Sequence, residues 1–139
     1  MKVYTIGYGG RKKEEFLSLL QSHSIKTVAD IRLRPDKSSM GMFVKAKTAD
    51  KGIEKLLSDI GIQYYSFIEL GNVFLDFDNW SELYTELLNK SGDLLTRRLL
   101  NIPEPFCLLC AEKNFKDCHR QQVAEYLIKT KQAEVIHLN

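Results

Sequence analysis

Lys2-Val3-Tyr4-Thr5-Ile6-Gly7-Tyr8-Gly9-Gly10 opens the chain as a β-rich run that stops at a cluster of glycines. β-branched and aromatic residues suit a strand, and glycines allow the tight backbone turn that follows it. From Lys12 to His23, Phe16, Leu19 and Leu20 recur at helical spacing, with Glu14 and Glu15 near the start, where the helix dipole favours negative charge. Thr27-Val28-Ala29-Asp30-Ile31 is again a short buried-type strand. Strand, helix and strand within about thirty residues read as a βαβ unit, which implies parallel pairing through a right-handed crossover.

The same alternation continues. A long basic loop, Arg32 to Lys51, leads to a helix expected over Ala49 to Ile60, with Gly61 placed to end it. Ile62 to Phe67 reads as a third strand, and the aromatic and acidic stretch Phe74 to Trp80 as a loop or lid. Two helices are predicted, Trp80 to Lys90 and Gly92 to Leu100, before Pro103 and Pro105 break the chain. Phe106 to Leu109 is the fourth strand, His119 to Lys131 the last helix and Glu134 to Leu138 the fifth strand. The expectation is an α/β fold: one three-layer domain over residues 1–139, with a mostly parallel sheet of about five strands flanked by helices.

Composition agrees with a single globular domain. The chain has 139 residues, 44% apolar and 27% charged, which disfavours disorder and coiled coil. A net charge of +2 does not by itself announce a nucleic-acid binder. No apolar run approaches a membrane span and no signal-peptide pattern follows Met1, so a cytoplasmic protein without a membrane partner is expected. The three cysteines fall in one short segment, unlike a secreted disulfide framework, and read as packing residues, reactive thiols or ligands.

In parallel α/β sheets ligands bind beyond the carboxyl ends of the strands, and the polar clusters fall there. Gly7, Tyr8 and Gly9, with Arg11, follow the first strand; Asp30 and Arg32 end the second; Glu69 follows the third; Cys110 and Glu112 end the fourth. The glycine turn and Arg11 offer an anion-binding surface, with a plain tight turn as the competing reading. Asp30 and Arg32 lie two apart and share a strand face, which suits an ion pair or a positioned base. Asp117 reads as an N-cap that puts Cys118 in the first turn of the last helix, beside His119 and Arg120, where the dipole lowers a thiol pKa. Cys107 lies within its strand and reads as a buried hydrophobe.

Two specific chemistries are disfavoured. Cys107 and Cys110 on a strand face opposite sides, and adjacent Cys118 and His119 converge poorly on one ion, so neither structural zinc nor another cofactor is expected. Tyrosine-phosphatase chemistry needs a cysteine and an arginine separated by five residues, whereas Arg120 lies ten positions after Cys110.

The ordered motifs Thr5-Ile6-Gly7-Tyr8, Asp30-Ile31-Arg32, Glu69-Leu70-Gly71, Cys110-Ala111-Glu112 and Cys118-His119-Arg120 resemble the family known as domain of unknown function 488. The resemblance spans nearly the whole chain and implies a compact α/β domain with an unassigned activity. Cys110, Glu112, Cys118, His119 and Arg120 carry over to the family's terminal signature, and Cys107 does not. Tyr8 stands where many relatives have histidine, and a phenol is a poor base at neutral pH.

The functional expectation is an enzyme, a hydrolase or transferase with the reaction unassigned, acting on a small anionic or nucleotide-like ligand. Asp30 and Glu112 are its acid/base candidates, Glu69 a further catalytic candidate, Arg32 and Arg120 its anion clamps, and Cys110, Cys118 and His119 its thiol chemistry. A nucleic-acid or nucleotide binding module, motivated by the basic loop and nearby aromatics, is the alternative. A thiol redox-sensing role for Cys110 and Cys118 is the third reading.

Overall fold

A computed structural model describes all 139 residues. Its strands are β1 (Lys2–Gly7), β2 (Thr27–Asp30), β3 (Gln63–Ser66), β4 (Phe106–Cys110) and β5 (Glu134–His137). The helices are α1 (Lys13–Ser22), α2 (Gly52–Ser58), α3 (Trp80–Leu95) and α4 (Arg120–Lys131). The strands form one sheet in the order β3-β2-β4-β1-β5, and every pairing is parallel. The α/β expectation holds in class and in strand number.

Side-chain alternation along the strands makes two cores, one on each face. Ile6, Val28, Cys107 and Leu109 pack under α1 and α2, against Phe16, Leu20, Ile53 and Leu57. Val3, Ala29, Phe106 and Leu108 pack under α3 and α4, against Tyr84, Leu88, Val123 and Leu127. β4 carries FCLLC because both of its faces are covered, which removes any need for polar residues between apolar ones.

Three boundaries differ from the sequence reading, each for a local reason. The helix expected from Ala49 starts at Gly52, which has a positive φ of 65° and lies so close to the Val44 carbonyl that a side chain there would overlap it. Ile53 N–H donates to Val44 O at 2.9 Å, so the preceding residues close a loop instead of extending the helix. The two helices expected around Gly92 are one continuous α3, followed by a short 3-10 turn at Leu99–Asn101. Gly92 does not break α3; it makes room for the Tyr126 ring of α4, which a Cβ would strike. Finally, α4 begins at Arg120, after a 3-10 turn at Phe115–Asp117. Asp117 therefore ends that turn and does not cap α4, and Cys118 lies in extended backbone just before the helix. No helix is long and apolar enough to cross a membrane.

The sheet order positions the site. β4 lies between β1 and β2; the chains leaving β1 and β2 pass to the α1/α2 face, and the chain leaving β4 passes to the α3/α4 face. Neighbouring connections that part in opposite directions leave a crevice above the strand ends. Because β4 is central, Leu108→Ala should destabilise the protein by about 2–5 kcal/mol, read as a lower urea midpoint. Ile68→Ala, at a residue 53% exposed, should stay within about 0.5 kcal/mol.

Candidate functional site

The carboxyl ends of β1, β2 and β4 enclose a cavity of about 230 Å³. Tyr8, Arg32, Cys110, Glu112, Cys118 and His119 all line it. The volume lies below the roughly 300–1,000 Å³ of drug-sized pockets, which suits a small ligand or the end of a larger one.

Asp30 and Arg32 form a bidentate pair, with Nε to Oδ1 at 2.9 Å and Nη2 to Oδ2 at 2.7 Å. Asp30 is fully buried, accepts the Arg32 backbone N–H at 3.1 Å, and takes a further hydrogen bond from the Tyr64 hydroxyl. Both of its oxygens are thus committed to Arg32 and Tyr64, and the pair fixes the Arg32 guanidinium at the strand end. Burial opposes the Arg32 charge, but the Asp30 carboxylate outweighs it and holds the guanidinium pKa above its ordinary value. Arg32 also donates to the Tyr8 hydroxyl at 3.3 Å and lies over the Tyr8 ring. Tyr8 in turn stacks on Phe43 and meets Ser38 Oγ at 3.1 Å, tying the basic loop to the cavity wall.

Arg120 is a second buried cation at the strand ends, with no measurable exposure. Its Nη1 reaches Cys110 Sγ at 2.8 Å and also donates to Glu112 O. Nη2 donates to Lys113 O at 3.0 Å and Nε to Thr5 Oγ1 at 3.2 Å. None of these partners is a carboxylate. Burial accordingly pushes the Arg120 pKa down to about 10, still high enough to keep the charge at neutral pH. Gly7 makes this packing feasible, because a Cβ there would fall on the Glu112 carbonyl and lie 2.8 Å from Arg120 Nη1.

The sulfurs of Cys110 and Cys118 meet as a disulfide across the cavity. Arg120 N–H points at Cys118 Sγ, 3.4 Å away, and His119 Nδ1 lies 3.6 Å from the same sulfur. His119 Nε2 is 2.8 Å from the Ile31 carbonyl, which can only accept, so Nε2 carries the proton and Nδ1 presents a lone pair to Cys118. Burial pushes the His119 pKa down to about 4. Cys107 remains a free, fully buried thiol, and burial raises its pKa.

Other candidates fall elsewhere. Glu69 lies on a 3-10 turn at Ile68–Leu70 and pairs with Arg98 at 2.8 Å, outside the cavity lining; that hydrogen bond lowers its pKa. Arg11 is buried, pairs with Glu15 at 2.9 Å, and donates to the Gly7 and Leu138 carbonyls at 2.7 and 3.1 Å, so it fastens the chain end to β1. The amides of the glycine turn are spent on β4: Tyr8 N–H donates to Cys110 O and Gly9 N–H to Ala111 O. Helix α1 starts at Lys13, three residues beyond the turn. Conversely, Arg34, Lys37, Asn72 and Asp117 line the cavity without having been singled out. The basic character of residues 32–51 was the signal for Arg34 and Lys37. Within that loop, Arg34 pairs with Asp36 and Lys45 with Glu54. No three His, Cys, Asp or Glu side chains converge as a metal site.

A family profile described as "Domain of unknown function DUF488" matches residues 12–127, and the chain belongs to that family. No curated protein and no solved structure matches the chain.

The His119 environment predicts a pH dependence. A histidine whose folded pKa of about 4 lies below its ordinary 6.5 binds protons more readily when unfolded, so stability falls as pH drops from about 6.5 toward 4. This should amount to about 3 kcal/mol at the acid end. Urea titrations at stepped pH should show a shallower slope for His119→Gln across that window.

Proposed function

We propose that this member of the DUF488 family is an enzyme that uses the reduced Cys110 sulfur as a nucleophile toward a small anionic substrate, as a transferase or hydrolase. The observation that carries the reading is the Arg120 guanidinium, wholly buried without a carboxylate partner and 2.8 Å from Cys110 Sγ. A guanidinium so placed stabilises a thiolate over a thiol, because the thiolate supplies the counter-charge that burial otherwise denies it. Substrate binding falls to Arg32, held rigid by Asp30, and to Arg34 and Lys37 at the mouth. Glu112 is exposed on the cavity lining and serves as the acid/base group. Bidentate presentation of Arg32 also explains why its partner Asp30 is buried and acts without touching the substrate.

Alkylation of the reduced protein tests this directly. Peptide mapping should find Cys110 carboxymethylated with a pH midpoint at least about one unit below the ordinary thiol value of about 8.5. Iodoacetate should be favoured over iodoacetamide relative to a free thiol, and Arg34→Gln or Lys37→Gln should cut that preference by about two- to fivefold, the range of a partly screened charge. A midpoint near 8.5 with no preference for the anionic reagent would falsify the assignment.

A further inference from the structure

We infer that Cys110 and Cys118 are a working dithiol–disulfide couple that exchanges electrons with a small anionic disulfide entering the cavity. The inference rests on the nucleophile reading above and adds a second reactant and a role for Cys118. Three observations carry it. Both sulfurs line the same cavity and meet across it, so a reagent that reaches one is beside the other. The surroundings of the two sulfurs differ: Cys110 Sγ takes a hydrogen bond from the Arg120 guanidinium, whereas Cys118 Sγ has a backbone N–H at 3.4 Å and the His119 Nδ1 lone pair at 3.6 Å. The third thiol, Cys107, is sealed in the α1/α2 core and cannot divert the exchange.

This asymmetry orders the steps. The Cys110 thiolate attacks one sulfur of the external disulfide, forming a mixed disulfide and releasing one small thiolate. Cys118 then attacks Cys110 Sγ, its S–H proton leaving by way of His119 Nδ1 or water. The second small thiolate departs as the Cys110–Cys118 bond forms. Two electrons pass from the protein to the external disulfide, whose two thiolates take up protons from solvent. A dithiol reductant reverses the sequence and restores both thiols.

The preference for an anion follows from depth. Arg120 lies behind Cys110 with no carboxylate among its hydrogen-bond partners, and Arg32 is 6% exposed though neutralised by Asp30. Glu112 and Asp117 also line the cavity, but both are exposed, as is Arg34, and solvent screens their charges. The weakly screened field at the reacting sulfur is therefore positive.

The test uses the reduced full-length protein and three probes: dithiodiglycolate (dianionic), hydroxyethyl disulfide (neutral) and cystamine (dicationic). Intact mass and peptide mapping should show the wild type losing two hydrogen atoms as Cys110 and Cys118 join, with the dianion reacting fastest. Cys118→Ser should trap the probe on Cys110, and Cys110→Ser should react at least about tenfold more slowly. A lasting adduct on wild-type Cys110, with no internal bond, overturns the couple and leaves the nucleophile assignment standing. A probe trapped in Cys110→Ser but not in Cys118→Ser reverses the order of attack and removes the nucleophile assignment instead. Fastest reaction with cystamine overturns the anionic preference.

Discussion

The Arg120 guanidinium is a full positive charge, buried with no carboxylate among its hydrogen-bond partners. Isolated buried charge is costly, and proteins normally neutralise it with a paired acid. Here the compensation comes from carbonyl dipoles of Glu112 and Lys113, the Thr5 hydroxyl and the Cys110 sulfur. These partners come from three places, so one side chain from α4 ties together β1, the end of β4 and the loop beyond it. Gly7 and its close approach to Glu112 exist within the same constraint. The arrangement couples fold to chemistry, since the group that organises the strand ends is also the group that favours a charged sulfur.

Asp30 and Arg32 solve the opposite problem. There the acid is present and fully buried, the pair is bidentate, and Tyr64 adds a further hydrogen bond. The result is a cation whose charge is balanced and whose geometry is fixed, suited to orienting a ligand more than to attracting one from a distance. The two arginines thus divide the labour: Arg32 offers a shaped surface and Arg120 an electric field.

Much of the fold was legible because each strand–helix alternation carries its own period. The five strands, their parallel pairing and the three layers follow from the runs at Lys2–Ile6, Thr27–Ile31 and Phe106–Leu109 with their intervening helical spacing. The misread points were glycines and caps. Gly92 looks like a breaker on propensity alone, yet α3 continues through it because Tyr126 needs the space. Asp117 looks like a cap, yet the chain needs a further 3-10 turn to carry Cys118 back to the β4 end. Within the site, Tyr8, Arg32, Cys110, Cys118 and His119 were identifiable because strand ends concentrate on one rim. Glu69 and Arg11 meet the same positional rule but spend their charge elsewhere, Glu69 on Arg98 and Arg11 on Glu15 and two backbone carbonyls. Which way a rim side chain turns depends on tertiary partners that no local pattern encodes.

Placing β4 between β1 and β2 has a consequence for how the chain is made. During synthesis β1 and β2 emerge early, but they are not neighbours in the sheet and meet only through β4. Until residues 106–110 leave the ribosome, each presents an unpaired edge, and the β1 and β2–β3 parts cannot merge. Insertion of β4 joins the two parts and brings Cys110 to the strand-end rim in the same event, and β5 then adds to the free edge of β1. Nascent and truncated chains that lack this segment therefore hold neither a joined sheet nor the strand-end cavity, which exists only once folding is finished.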